Sequence, residues 1–195
     1  MSDPRPWTWA AVFGGLWGAL EMTAGTALKL ARIPLSGALM AALALVILVT
    51  LRRLQPTAGV CLLAGAAAVF LKVLALGGVF PGPLVAMGVE AVMVEGVFLV
   101  VGSRAVAAAL AGALVLVWGL LQMVGMVWLV AGLRVLASWG EALGGLAGRV
   151  GTGGISPGVL LSLVAGLHAA AGAAAGLGAW RMAGRVGRRL RGASR

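Results

Sequence analysis

The feature that most constrains this chain is a set of six apolar runs, at about residues 9–31, 35–51, 58–77, 83–101, 105–133 and 158–180. Each is close to or above the ~20 residues that carry a helix across the hydrocarbon of a bilayer. In lipid every backbone polar group must be satisfied internally, so continuous runs of this length are read as helices. The breaks between them are physical as well. "RIP", "RRLQPT", "GGVFPGP" and "GSR" combine helix-ending Pro and Gly with arginines that stay in water. The expectation is an all-α membrane protein, a bundle of six transmembrane helices over residues 9–180. A short cytoplasmic N-terminus (1–8) precedes it and a basic cytoplasmic tail (181–195) follows. The fifth run is too long for one upright span and implies tilt or an extension beyond the bilayer. In the segment 137–157, Trp139, Leu143, Leu146 and Val150 recur at near-helical spacing among glycines. It is expected to be either a mobile interfacial segment or a plain loop.

Composition agrees with the runs. Of 195 residues, 62% are hydrophobic and 10% charged, against about 25% charged in a soluble domain. The 32 glycines suit close helix packing in lipid. A net charge of +10 would suggest nucleic acid in a soluble protein. Here the basic residues lie at segment ends and in the tail, so membrane orientation and anionic lipid headgroups account for them, and no nucleic-acid partner is expected. One cysteine, Cys61, excludes an intramolecular disulfide. The first run lacks the flanks of a signal peptide and is expected to be retained. With the N-terminus cytoplasmic, Arg5, Arg52, Arg53, Arg104 and six arginines of the tail lie inside, ten in all, against four outside (Lys29, Arg32, Arg134, Arg149). Both termini are therefore expected in the cytoplasm of a multi-pass cell-membrane protein.

Within the runs stand Glu21, Lys72, Glu90, Glu95, Gln122 and His168. A charge near the bilayer centre costs roughly 2.5–3.5 kcal/mol on the insertion scale. Such groups are expected to face inward, to pair, or to line a wet site. Depth along the spans suggests Lys72 with Glu90, on antiparallel neighbours joined by "GGVFPGP", with Glu21, Gln122 and His168 converging on the same cavity. These five are the candidate solute-binding residues. Glu95, about 140° around the helix from Glu90, should meet a different helix. A second signal is small-residue spacing on the first run. Ala11, Gly15 and Ala19 form one row, Ala10, Gly14 and Gly18 an adjacent one, and such faces admit another helix closely. In "HAAAGAAAG" (168–176) the aligned Gly172 and Gly176 are expected to pack within the chain.

Enzymatic readings lack their groups. Six spans with a histidine on a glycine-rich sixth helix superficially resemble rhomboid proteases, but that family needs a GxSG serine on span four. Residues 83–101 contain no serine, and His168 is four residues from Gly172 where the family's motif has three. No HExxH helix or phosphate-binding loop is present, and one His with scattered Glu is poor support for a metal site. No enzyme activity, cofactor or bound metal is expected.

Six hydrophobic helices in about 190 residues, cytoplasmic ends and the small-residue stretch "AAVFGGLWGAL" (10–20) resemble the S component of an energy-coupling factor transporter. The resemblance implies that Ala11, Gly15 and Ala19 dock on a transmembrane coupling subunit that works with ATPase subunits. It implies that a small solute, vitamin-like or a metal, is captured in the outer half of the membrane under the loops at 29–37, 77–83 and 137–157. Lys72 would suit a carboxylate or phosphate on that solute, Glu90 and Glu21 an amine or protonated ring. Two other readings stand beside it. One is a self-sufficient proton- or ion-coupled carrier, for which intramembrane Glu and His are suited, though no internal repeat is evident. The other is a structural membrane assembly subunit.

Overall fold

A computed structural model describes residues 6–33, 35–76, 81–149 and 156–193. Among them the chain forms six helices and no strand: α1 (Pro6–Leu30), α2 (Ser36–Leu54), α3 (Val60–Leu76), α4 (Pro81–Val101), α5 (Ala105–Arg149) and α6 (Pro157–Ala193). Four contain stretches long and apolar enough to cross a membrane: Ser36–Leu54, Gly82–Val101, Ala105–Val130 and Gly158–Leu190. Helix α3 is apolar but shorter, with 17 residues, or about 26 Å of rise.

The helices are laid around α2. It packs against each of the other five, while α1 packs on α3, α3 on α4, α4 on α5 and α5 on α6. The outer five thus form an arc, and α1 and α6 do not pack on each other among the described residues. Burial follows this plan: 56% of the apolar stretch of α2 is buried, but only 6% of that of α6. From Met40 to Leu54 no residue of α2 is exposed. The outer helices turn large apolar side chains outward, among them Val12, Phe70, Val100, Leu129 and Leu167. Such a surface is unfavourable in water and ordinary in lipid.

Small residues set the spacing. Gly14 lies against Ala64 and Ala67, and Gly18 against Ala68 and Leu71, so α1 and α3 run parallel with their numbering in step. Gly172 and Gly176 meet the backbone of α5 at Gly112 and Ala108, so closely that a Cβ on either would collide with a carbonyl. The expected in-chain packing of this face is observed.

Two boundaries differ from the sequence expectation. Helix α5 runs past residue 133 to Arg149, interrupted at Gly132, whose φ of 75° and ψ of 176° stop one helix and start the next. Residues 137–149 are therefore helical. The side chains of Trp139, Leu143 and Leu146, and Val150 entirely, lie outside the described residues, as does 151–155. The basic stretch from Arg181 is also not a separate tail. It continues α6 as far as Ala193, with Ala183, Gly184 and Gly187 buried.

Candidate functional site

The close α1–α3 contact determines which charges meet. One turn beyond the Gly18–Ala68 contact come Glu21 and Lys72, and these two form the ion pair, Lys72 Nζ donating to Glu21 Oε2. Both are buried, Glu21 at 8% and Lys72 at 4% exposure. Gly25, one turn further along α1, leaves the room in which the Glu21 carboxylate lies. A Cβ there would stand 3.2 Å from Glu21 Oε2.

Lys72 does not pair with Glu90, contrary to the depth argument. Gly65 faces Ala91 and Cys61 faces Glu95 across the α3–α4 contact. That register sets Lys72 level with a residue near 84, about six residues or ~9 Å up the axis from Glu90. Matching depth assumes a hairpin centred on its Pro–Gly loop, whereas the helices are offset, and α1 supplies the carboxylate that pairs. Glu90 is 6% exposed and close enough to Glu21 and Lys72 for their charges to act on it. It has no hydrogen bond or ion pair among the described residues. One turn before Glu21, the fully buried Trp17 has an indole N–H without a hydrogen-bond partner. Lys29, exposed near the end of α1, is within electrostatic range of Glu21 and Lys72.

Glu95 meets a different set of groups, as its angular separation implies. Its Oε1 accepts from the Gly59 N–H at 2.8 Å and its Oε2 from the Cys61 N–H at 3.0 Å. These are donors at the start of α3 that no intrahelical carbonyl can reach. Arg52 of α2 completes the set, its Nε 3.5 Å from Glu95 Oε1. A carboxylate on one helix thus caps its neighbour and balances an arginine on a third.

Gln122 and His168 are not brought to the Glu21–Lys72–Glu90 cluster. Gln122 donates to the Gly82 carbonyl at 2.6 Å, fastening α5 to the start of α4. His168 uses Nδ1 on the Val164 carbonyl of its own helix at 2.9 Å, which requires the proton on Nδ1. Among the described residues the α6 backbone lies against α2 and α5, and α6 reaches α4 through the Trp180 ring on Phe98, whereas the cluster belongs to α1, α3 and α4. The small-residue rows separate as well. Ala10, Gly14 and Gly18 are buried, while Ala11 and Ala19 are exposed and a Cβ on Gly15 would meet nothing within 4 Å.

A second polar group, at the end of the bundle where α2 stops, was not singled out from the sequence. Arg53 stacks on the Trp180 ring, its Cζ 4.1 Å from the centroid, and donates to the Trp180 carbonyl. Trp180 in turn stacks on Phe98. The available signal was the adjacency of Arg52 and Arg53. About 100° apart on a helix, they must serve different neighbours, here α4 and α6. No protein-family model, curated protein or solved structure matches this chain.

Proposed function

We propose that this chain is a six-span, multi-pass cell-membrane protein with both termini cytoplasmic. In this reading it is the solute-binding subunit of an importer of the energy-coupling factor type, working with a coupling subunit and ATPase subunits. The observation that carries the reading is the incompletely satisfied cluster of Glu21, Lys72 and Glu90 on α1, α3 and α4. Fully ionised, its three charged groups leave one negative charge in excess away from water, which a proton or a cationic solute group would balance. An unpartnered carboxylate near a lysine offers an acceptor and a donor to a small polar solute. Gln122 and His168, which lie elsewhere, have no part in this form of the proposal. The outward row Ala11, Gly15 and Ala19 is open for a partner helix, because its neighbouring row already serves α3.

Two experiments test this. In a Cys61→Ala background, cysteines at Ser2 and Ser194 should be shielded from impermeant thiol reagents in intact cells, and one at Thr152 should react. Labelling of both termini from outside would reverse the orientation and remove the reading. Extracted in mild detergent, the wild-type chain should co-purify with ATPase subunits, and Gly15→Leu should abolish that without loss of thermal stability. The unpartnered Glu90 also favours a second reading, a proton-coupled carrier. Its mark would be uptake driven by a pH gradient in vesicles containing this chain alone.

A further inference from the structure

Arg53, Trp180, Arg181, Arg185 and Arg188 line an open surface pocket of about 280 Å³. Four of its five lining residues are arginines, and no carboxylate lines it. The described acids lie elsewhere: Glu21 pairs with Lys72 and Glu95 with Arg52, Glu90 belongs to the cluster on α1, α3 and α4, and Glu141 is on the part of α5 beyond Gly132. Arg53 and Arg188 are near enough to act on each other's charge. Guanidinium groups converging without a counter-charge are an arrangement that an anion completes.

The geometry is prepared for a phosphate. Arg181, Arg185 and Arg188 stand four and three residues apart on α6 and so share one face. Arg53 faces them from α2, its plane fixed by the Trp180 ring and carbonyl, which leaves further N–H donors of its fork free. Gly184, buried beside these arginines, gives the Arg53 guanidinium room, since a Cβ there would lie 2.5 Å from its Nη2 and the guanidinium would have to shift. Beside the basic face, Met182, Val186 and Leu190 form an exposed apolar stripe at four-residue spacing.

We propose that this pocket is a phosphate-binding site. It accepts the phosphate group of an anionic phospholipid, with the acyl chain along Met182, Val186 and Leu190, and soluble phosphate is the other source of the same chemistry. The site needs α2 and α6 to lie in a membrane but does not depend on the transport reading.

The test uses the full-length chain in nanodiscs of phosphatidylcholine with or without phosphatidylglycerol, followed by native mass spectrometry of retained lipid and by thermal unfolding. Wild-type protein should retain phosphatidylglycerol selectively. Arg185→Gln with Arg188→Gln should weaken retention by about fivefold per arginine. Arg104→Gln with Arg189→Gln removes the same charge outside the pocket and should change it little. All four side chains are exposed, so the fold should survive in both, and unchanged unfolding in phosphatidylcholine verifies this. If inorganic phosphate raises the unfolding temperature in phosphatidylcholine discs and phosphatidylglycerol adds nothing, the site stands with soluble phosphate as its source. Equal losses in the two double variants, or no response to either ligand, would overturn the proposal.

Discussion

Two buried carboxylates on α4, five residues apart, live under opposite regimes. Glu95 is 1% exposed and makes two backbone hydrogen bonds beside an arginine. Glu90 is 6% exposed and makes none among the described residues. Both were carried into a low-dielectric interior, where a carboxylate without partners is costly. Two backbone hydrogen bonds and an ion pair mark Glu95 as part of the architecture, fastening α2, α3 and α4 at one end. Incomplete satisfaction marks Glu90 and its neighbours as a place where the fold leaves chemistry unfinished. Burial alone does not separate these cases; the partner inventory does.

The largest effect is expected at Glu95. Glu95→Ala strands Arg52 beside Phe98, 6.0 Å from its ring centroid, and leaves the Gly59 and Cys61 N–H groups unpaired. Removing one partner of a buried pair typically costs about 3–5 kcal/mol. Thermal unfolding in detergent should show a loss of that order, with proteolysis starting at the 55–59 connection. A change below about 1 kcal/mol would erase the contrast with Glu90.

Next is the pair Glu21–Lys72. Lys72→Met alone leaves two buried carboxylates near each other with only the exposed Lys29 in range and should cost about 3 kcal/mol or more. Glu21→Gln alone should cost less, because Glu90 remains near enough to balance Lys72 in part. Combined, the two should recover much of the loss, which a double-mutant cycle reads as a coupling energy of about 1–3 kcal/mol. The equivalent cycle between Lys72 and Glu90 should give a smaller coupling. If it gives the larger one, the register-based placement of these side chains is wrong.

Helix positions, and the fact that charges inside the runs need explaining, were legible because apolar length and Pro–Gly breaks encode them directly. Partner choice was not. Depth within a hairpin located Lys72 and Glu90 only to within a turn or two, while the pairing was decided by the parallel approach of α1, which depends on Gly14 and Gly18 fitting α3. The same contact decided which small-residue row stays outside, a question spacing alone left open. By sequence, Arg52 and Arg53 belong to the solvated end of a span. In the structure Arg52 is 5% exposed, because Glu95, Phe98 and the start of α3 close over it. The continuation of α6 beyond residue 180 was obscured by its charge, since a run of arginines resembles a tail until Trp180 and Arg53 anchor it.

The smallest stability effect, and the sharpest test of the comparison, belongs to Glu90→Gln. No ion pair or hydrogen bond is lost, one buried charge is removed, and the side-chain volume is kept. Stability should therefore change by less than about 1 kcal/mol, in the direction of gain if Glu90 is ionised. Function should respond quite differently. If Glu90 belongs to a solute site, a solute co-purified with the wild-type chain should be absent from the equally stable variant. If Glu90 carries a proton in a self-sufficient carrier, uptake should lose its dependence on the pH gradient. A variant that loses several kcal/mol would show that Glu90 is held as Glu95 is, and the division between a finished and an unfinished carboxylate would fail.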